Sequence, residues 1–167
     1  MRILENSETV WAREYLGQAR EEALKSLCLI SKCGAALVKD YIVIGKGSNS
    51  PPENKKIEKC FKDTLPNNFK SDRTCCIHAE GRAIEDALDK YNKERIKGST
   101  LYFTRINGNK SIIPVEKPYC TICSKLALDL GVSKWVLFHS FGFTEYNAEE
   151  YNEISFGRLG WGDPKGK

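Results

Sequence analysis

Two short segments, "IHAEGRAIEDAL" at 77–88 and "PYCTIC" at 118–123, lie roughly 40 residues apart, and each opens a stretch that reads as a helix. Cys120 and Cys123 stand at i and i+3, so their sulfurs leave one side of a helix start and can share a metal. His78 and Glu80 stand at i and i+2, positions that diverge on a helix flank and converge only over its N-terminal mouth. A fold that satisfies both must bring two helix N-termini face to face.

The rest of the chain supplies elements that could do this. Residues 8–30 carry Ala12, Leu16, Ala19, Ala23 and Leu27 near a 3.6-residue period, which predicts a first helix. "CGAALVKDYIVIGKGSN" holds two β-rich runs split at Lys39-Asp40, predicting a hairpin of strands at about 34–38 and 41–46. Residues 47–76, with Pro51, Pro52, Pro66 and many charges, read as a long irregular loop of the kind that is usually functional. Ala83, Ile84, Ala87, Leu88 and Tyr91 form the apolar stripe of the helix that starts near Ile77. A strand over 99–106 and the turn "NGNK" follow, then a helix from about Cys120 to Leu130, stopped by Gly131. "KWVLFH", a turn at Phe141-Gly142, "FTEY" and a helix over about 148–158 complete the order α-β-β-α-β-α-β-β-α, which implies a mixed sheet with helices on its faces.

Composition sets the outer limits. At 167 residues the chain fits one domain, expected over 1–160 with a flexible tail at 161–167. The fractions, 41% hydrophobic and 29% charged, are globular, and neither a membrane span nor an apolar leader is evident. Seven cysteines, an odd number with four of them in tight pairs, suit metal ligands or buried thiols in a reducing compartment, so a cytoplasmic location is expected. The net charge of +4 neither demands nor excludes an anionic partner.

His78, Cys120 and Cys123 would give zinc three protein ligands and leave one position for water, the arrangement of a catalytic site. Glu80 would sit beside the metal without binding it, placed to take the water's proton. The positive ends of two helices would favour the thiolates. A redox C-x-x-C of thioredoxin type is the rival reading of the cysteines, but it leaves His78 and Glu80 without a role.

These residues make the sequence resemble the zinc-dependent cytidine/deoxycytidylate deaminase superfamily, whose signature joins H-x-E to P-C-x-x-C. The likeness runs over roughly 10–156, through "GAALV", "GKGSN", "STLYFT" and "SKLALDLGVSKWVLF". It implies a cytidine deaminase-like three-layer α/β/α fold around a central mixed five-stranded sheet. It further implies one catalytic zinc on His78, Cys120 and Cys123, and Glu80 as proton shuttle. Asn49 becomes the loop asparagine that meets the substrate's sugar, and backbone at Ala79 and at Tyr119, next to Cys120, becomes a candidate contact for the base. Some relatives hold a second, structural zinc, for which Cys33, Cys60, Cys75 and Cys76 are candidates; buried thiols are the simpler reading. Relatives are commonly dimers or tetramers, so a homo-oligomer is expected.

Three features depart from the pattern. Tyr119 intervenes between Pro118 and the first cysteine, residues 105–117 form an insertion before the motif, and a final antiparallel hairpin resembles free-nucleoside enzymes while the histidine ligand resembles the deoxycytidylate branch. The leading expectation is hydrolytic deamination of a cytosine nucleoside or nucleotide, with Lys55, Lys56, Lys59, Lys62, Lys70 and Arg73 available to a phosphate and diluted by Glu53, Glu58, Asp63 and Asp72. One alternative is a nucleic-acid-editing deaminase that stacks a flipped or single-stranded base on Tyr119, Phe141 or Trp161. Another is a zinc module without catalysis, which gives Glu80 nothing to do. Trp11, Trp135 and His139 read as packing or surface residues.

Overall fold

In the computed structural model, residues 1–66 and 75–158 are described. The expectations at Lys70, Asp72, Arg73, Trp161 and the 161–167 tail lie outside them. The elements run β1 (Arg2–Ile3), α1 (Ser7–Lys25), β2 (Lys32–Lys39), β3 (Ile42–Ser48), α2 (Ala79–Lys90), α3 (Lys93–Ile96), β4 (Thr100–Ile106), β5 (Ile112–Ile113), α4 (Thr121–Asp129), β6 (Lys134–His139), β7 (Gly142–Asn147) and α5 (Ala148–Phe156). Two 3₁₀ turns, Pro52–Asn54 and Phe61–Thr64, interrupt the long loop.

The strands form one sheet in the order β1-β7-β6-β4-β2-β3, with β5 beside β4. Five long strands are the predicted mixed sheet, and two two-residue strands extend it. β4 and β6 are parallel, while β2–β3, β2–β4 and β6–β7 are antiparallel, so the predicted final hairpin is present. Side chains alternate across the sheet. Val38, Tyr102 and Val136 meet Ala12, Tyr15 and Leu16 of α1 on one face. Leu37, Leu101, Trp135 and Leu137 meet α2, α4 and α5 on the other. These are the three layers expected.

Helix α1 stops at Lys25, short of the predicted 30, because the Ser26 hydroxyl turns inward to both the carbonyl and the side-chain Oδ1 of Asn49, each at 2.7 Å. The hairpin turn falls at Asp40-Tyr41, one residue later than expected, with φ of 51° and 63° matching the sense of twist of the strands. The apolar stripe of α2 is narrower than predicted: Ala83, Ile84 and Ala87 are buried, whereas Leu88 and Tyr91 are about two-fifths exposed.

Helix α2 carries His78 at its N-cap, and its position follows from two glycines. A Cβ on Gly47 would lie 2.5 Å from both the Ala79 carbonyl oxygen and the Ala83 nitrogen, and one on Gly45 would also strike the helix backbone at Ala83. Only glycine lets β3 and α2 approach this closely. An isolated antiparallel bridge, Ser50 with Ile77, then holds the residue before His78 in extended backbone through N–H···O bonds of 3.2 and 2.9 Å.

Gly47→Ala is therefore expected to destabilise the fold by about 1–3 kcal/mol and to weaken metal retention, since overpacking must move the start of α2. Gly17→Ala, where an added Cβ meets nothing within 4 Å, should be neutral or slightly stabilising. Thermal unfolding of zinc-loaded and chelator-treated protein checks both.

Candidate metal centre and active site

The requirement set by the two segments is met. His78 occupies the N-cap of α2 with extended backbone, Glu80 lies in the first turn, and Cys120 occupies the N-cap of α4. The Cys120 sulfur caps its own helix by accepting the Cys123 N–H at 3.3 Å. His78 Nδ1 lies 3.1 Å from Cys120 Sγ and 3.4 Å from Cys123 Sγ. Together with a Glu80 carboxylate oxygen, these ligand atoms lie within 4.8 Å of one another.

Tetrahedral zinc with Zn–N and Zn–S bonds of roughly 2.1 and 2.3 Å separates its ligands by about 3.5 Å, so the spacing fits that ion. The donor set, two sulfurs and an imidazole, is also the chemistry zinc selects. Without metal, the same groups share protons. Cys120 is pulled down to about 4, first by the Cys123 thiol that donates to it and then by His78. Cys123 is raised because it keeps that proton, and His78 is pushed up to about 9 by its hydrogen bond to Cys120.

Glu80 is buried, and loss of hydration, reinforced by the negative Cys120, pushes its carboxyl up to about 7. A carboxyl near 7 can both take and give a proton at neutral pH. Tyr151 of α5 stacks on Trp135 with ring centroids 4.0 Å apart, and its hydroxyl meets the Tyr119 backbone. That contact ties the segment before Cys120 to the core despite the residue intervening after Pro118.

A cavity of about 490 Å³ opens over this group. Asn49, Ala79 and Tyr119 all line it, and Tyr119 is exposed. Asn49 is nonetheless mainly a strut. Its Oδ1 accepts from the Ser26 hydroxyl at 2.7 Å and from the Cys33 N–H at 2.8 Å, and its Nδ2 donates to the Ser31 carbonyl at 2.7 Å. One amide hydrogen is left for a ligand. Of the loop cations, Lys62 lines the cavity among the described residues; Lys55 instead pairs with Glu53 at 2.5 Å. Phe141 stacks on His139 rather than standing free.

The four cysteines considered for a second metal do not assemble as one set. Cys60 and Cys75 have sulfurs 3.7 Å apart and Cys76 hydrogen-bonds Cys28, whereas Cys33 sits by Ser31. Cys28, rather than Cys33, is thus the hydrogen-bond partner of Cys76. The single sequence cue was its place just past α1, opposite the loop. Arg105, Lys117 and Tyr151, also on the cavity wall, were not singled out from sequence.

Residues 9–139 match the family described as "Cytidine and deoxycytidylate deaminase zinc-binding region". A deoxycytidylate deaminase of Mycobacterium phage D29 is 30% identical over 132 residues, which cover 75% of this chain and 92% of that one. The chain spans 39% of the length of the deoxycytidylate deaminases it matches in Schizosaccharomyces pombe and Saccharomyces cerevisiae. Among solved structures, the cyanophage S-TIM5 dCMP deaminase in complex with dCMP and dUMP superimposes with a TM-score of 0.53 at 24% identity, covering 79% of this chain and 82% of that one. A cytidine deaminase from Burkholderia pseudomallei gives 0.56 at 18% identity, covering 83% and 94%. These two structures share the fold.

Burial pushes the Cys33 thiol up to about 12. The fold favours its neutral form, so the stability it contributes is complete below the ordinary thiol range and is lost as pH rises through about 12. Iodoacetamide at pH 8 should label Cys33 only after unfolding, as read by peptide mass spectrometry; rapid labelling of native protein would contradict this placement.

Proposed function

Since this chain belongs to the cytidine and deoxycytidylate deaminase family, we propose that it is a zinc-dependent hydrolytic deaminase of a free cytosine nucleotide, converting cytosine to uracil with release of ammonia. The observation that carries the reading is Glu80, a buried carboxyl whose oxygen lies within 4.8 Å of three zinc-type ligand atoms. A zinc held only for stability would not need it. His78, Cys120 and Cys123 would hold the ion, which supplies acidity to water near neutral pH.

The chain's own residues then manage two protons. Glu80 accepts the first from the attacking water and passes it to the ring nitrogen beside the amine-bearing carbon. It takes the second from the oxygen now bonded to that carbon and gives it to the departing amino group, so that the carbonyl forms as ammonia leaves. Burial keeps bulk water from competing for either proton. The Asn49 amide hydrogen and the backbone at Ala79 and Tyr119 are the groups available to orient sugar and base.

A cavity of about 490 Å³ suits one nucleotide. The resemblance to the phage deoxycytidylate deaminase supports a free nucleotide over the editing alternative. No helix among the described residues is long and apolar enough to cross a membrane. All seven cysteines are free thiols, which supports work in the cytoplasm, and self-association in the manner of relatives belongs to the same proposal.

Glu80→Gln should lower kcat on deoxycytidine monophosphate by about 10²–10⁴-fold while zinc content is unchanged. Cys120→Ser should lose the zinc itself. Ammonia release and metal analysis together test this, and an active Glu80→Gln protein would end the proposal. The same metal analysis counts ions: two per chain, one lost in Cys60→Ser, would place a structural zinc among Cys28, Cys60, Cys75 and Cys76, and one per chain would leave these as thiols.

A further inference from the structure

The cavity wall contains a cation that the fold does not neutralise. Strand β4 turns Leu101, Phe103 and Arg105 toward the α2 side of the sheet, and the last two line the cavity. The Arg105 backbone is pinned on both sides, opposite Cys33 in β2 and Ile113 in β5. Its Nε is buried without a hydrogen-bond partner.

The other described arginines are all engaged. Arg2, Arg20, Arg82, Arg95 and Arg158 form ion pairs, and Arg13 lies over the Phe143 ring. Arg105 is the one arginine among the described residues with no hydrogen bond, ion pair or ring contact of its side chain. Keeping a guanidinium partly out of water without a counter-charge is costly. At that cost, a position that β2 and β5 could pack with an aliphatic side chain holds a charge, which is consistent with an anion arriving from outside.

Lys62 and Lys117 line the same cavity, and neither is ion-paired among the described residues; the carboxylates on the wall are Glu80, beside the zinc-type ligands, and Glu116. Lys62, Arg105 and Lys117 place three basic side chains on one cavity wall, where a phosphate monoester, a compact dianion, can be met from several sides. A polymer, with one charge per diester, calls for a basic track instead. The planar guanidinium can meet two phosphate oxygens at once through its two Nη groups.

We propose that Arg105, supported by Lys62 and Lys117, receives the phosphate of a mononucleotide substrate and so sets the preference for nucleotide over nucleoside. This rests on the deaminase reading of the cavity. It goes beyond that reading by naming the residue that selects the phosphorylated form.

The test compares wild type, Arg105→Gln and Arg105→Lys on deoxycytidine 5′-monophosphate and on deoxycytidine. The ratio of kcat/KM for nucleotide over nucleoside should fall about 10- to 100-fold in Arg105→Gln, chiefly through KM, with Arg105→Lys between the two. Because the ratio is internal to each variant, poor folding cannot imitate the result. An unchanged ratio with active wild type overturns the assignment and leaves the deaminase reading standing. Calorimetric binding of deoxycytidine 5′-monophosphate separates the converse case. If wild type binds it tenfold or more tightly than Arg105→Gln but never releases ammonia, the phosphate site holds and the deaminase reading falls. Equal binding by both proteins in that case overturns the phosphate site as well.

Discussion

The site depends on the approach of α2 to β3. Gly45 and Gly47 remove the side chains that would hold the helix off the sheet, and the Ser50–Ile77 bridge fixes the backbone just before the helix begins. These contacts deliver His78 and Glu80 together, one at the N-cap and one in the first turn, over the mouth of the helix rather than on its flank. On the opposing side, Cys120 caps α4 with its own sulfur, so the atom that ends the loop also faces His78 Nδ1 at 3.1 Å. The N-terminal partial charges of both helices then fall on the group of atoms where thiolates must persist.

Much of this was legible in the sequence, for an identifiable reason. H-x-E and C-x-x-C are spacings whose chemistry makes sense only if they meet, so they constrain tertiary structure directly. The long strands and α1, α2, α4 and α5 follow from periodicity, with ends displaced by one to five residues where a specific side chain intervenes, as Ser26 does at the end of α1. The two-residue strands β1 and β5 and the single turn α3 carry no periodicity, because they exist only through their partners. Asn49 was legible as a position but not as a strut, since its partners at 26, 31 and 33 lie across a chain reversal. Cys28 had only its place just past α1 to mark it, and Arg105 had nothing: one is an ordinary loop thiol and the other an ordinary strand arginine until the fold places them on a cavity wall.

The insertion at 105–117 is held down by a residue that the sequence left without a role. His139 is fully buried at the end of β6, with Nδ1 2.7 Å from the Val115 carbonyl and Nε2 2.6 Å from the Tyr146 hydroxyl. A carbonyl only accepts, so Nδ1 carries a proton, and the ring is held at both nitrogens. Val115 also returns its N–H to the Phe138 carbonyl at 2.9 Å. The insertion is thereby stitched to the sheet beside Glu116 and Lys117, and this part of the substrate wall is a fixed surface.

The bridge between Ser50 and Ile77 closes the long loop at its base, immediately before His78. The bridge brings the two ends of the loop together, so the backbone entering α2 is set at this joint. Loop closure becomes only slowly more costly with length. Segments of other sizes and compositions could therefore be exchanged above this joint, changing what the enzyme admits while the proton-handling group below keeps its geometry. Two backbone hydrogen bonds thus form the joint from which such a loop can vary.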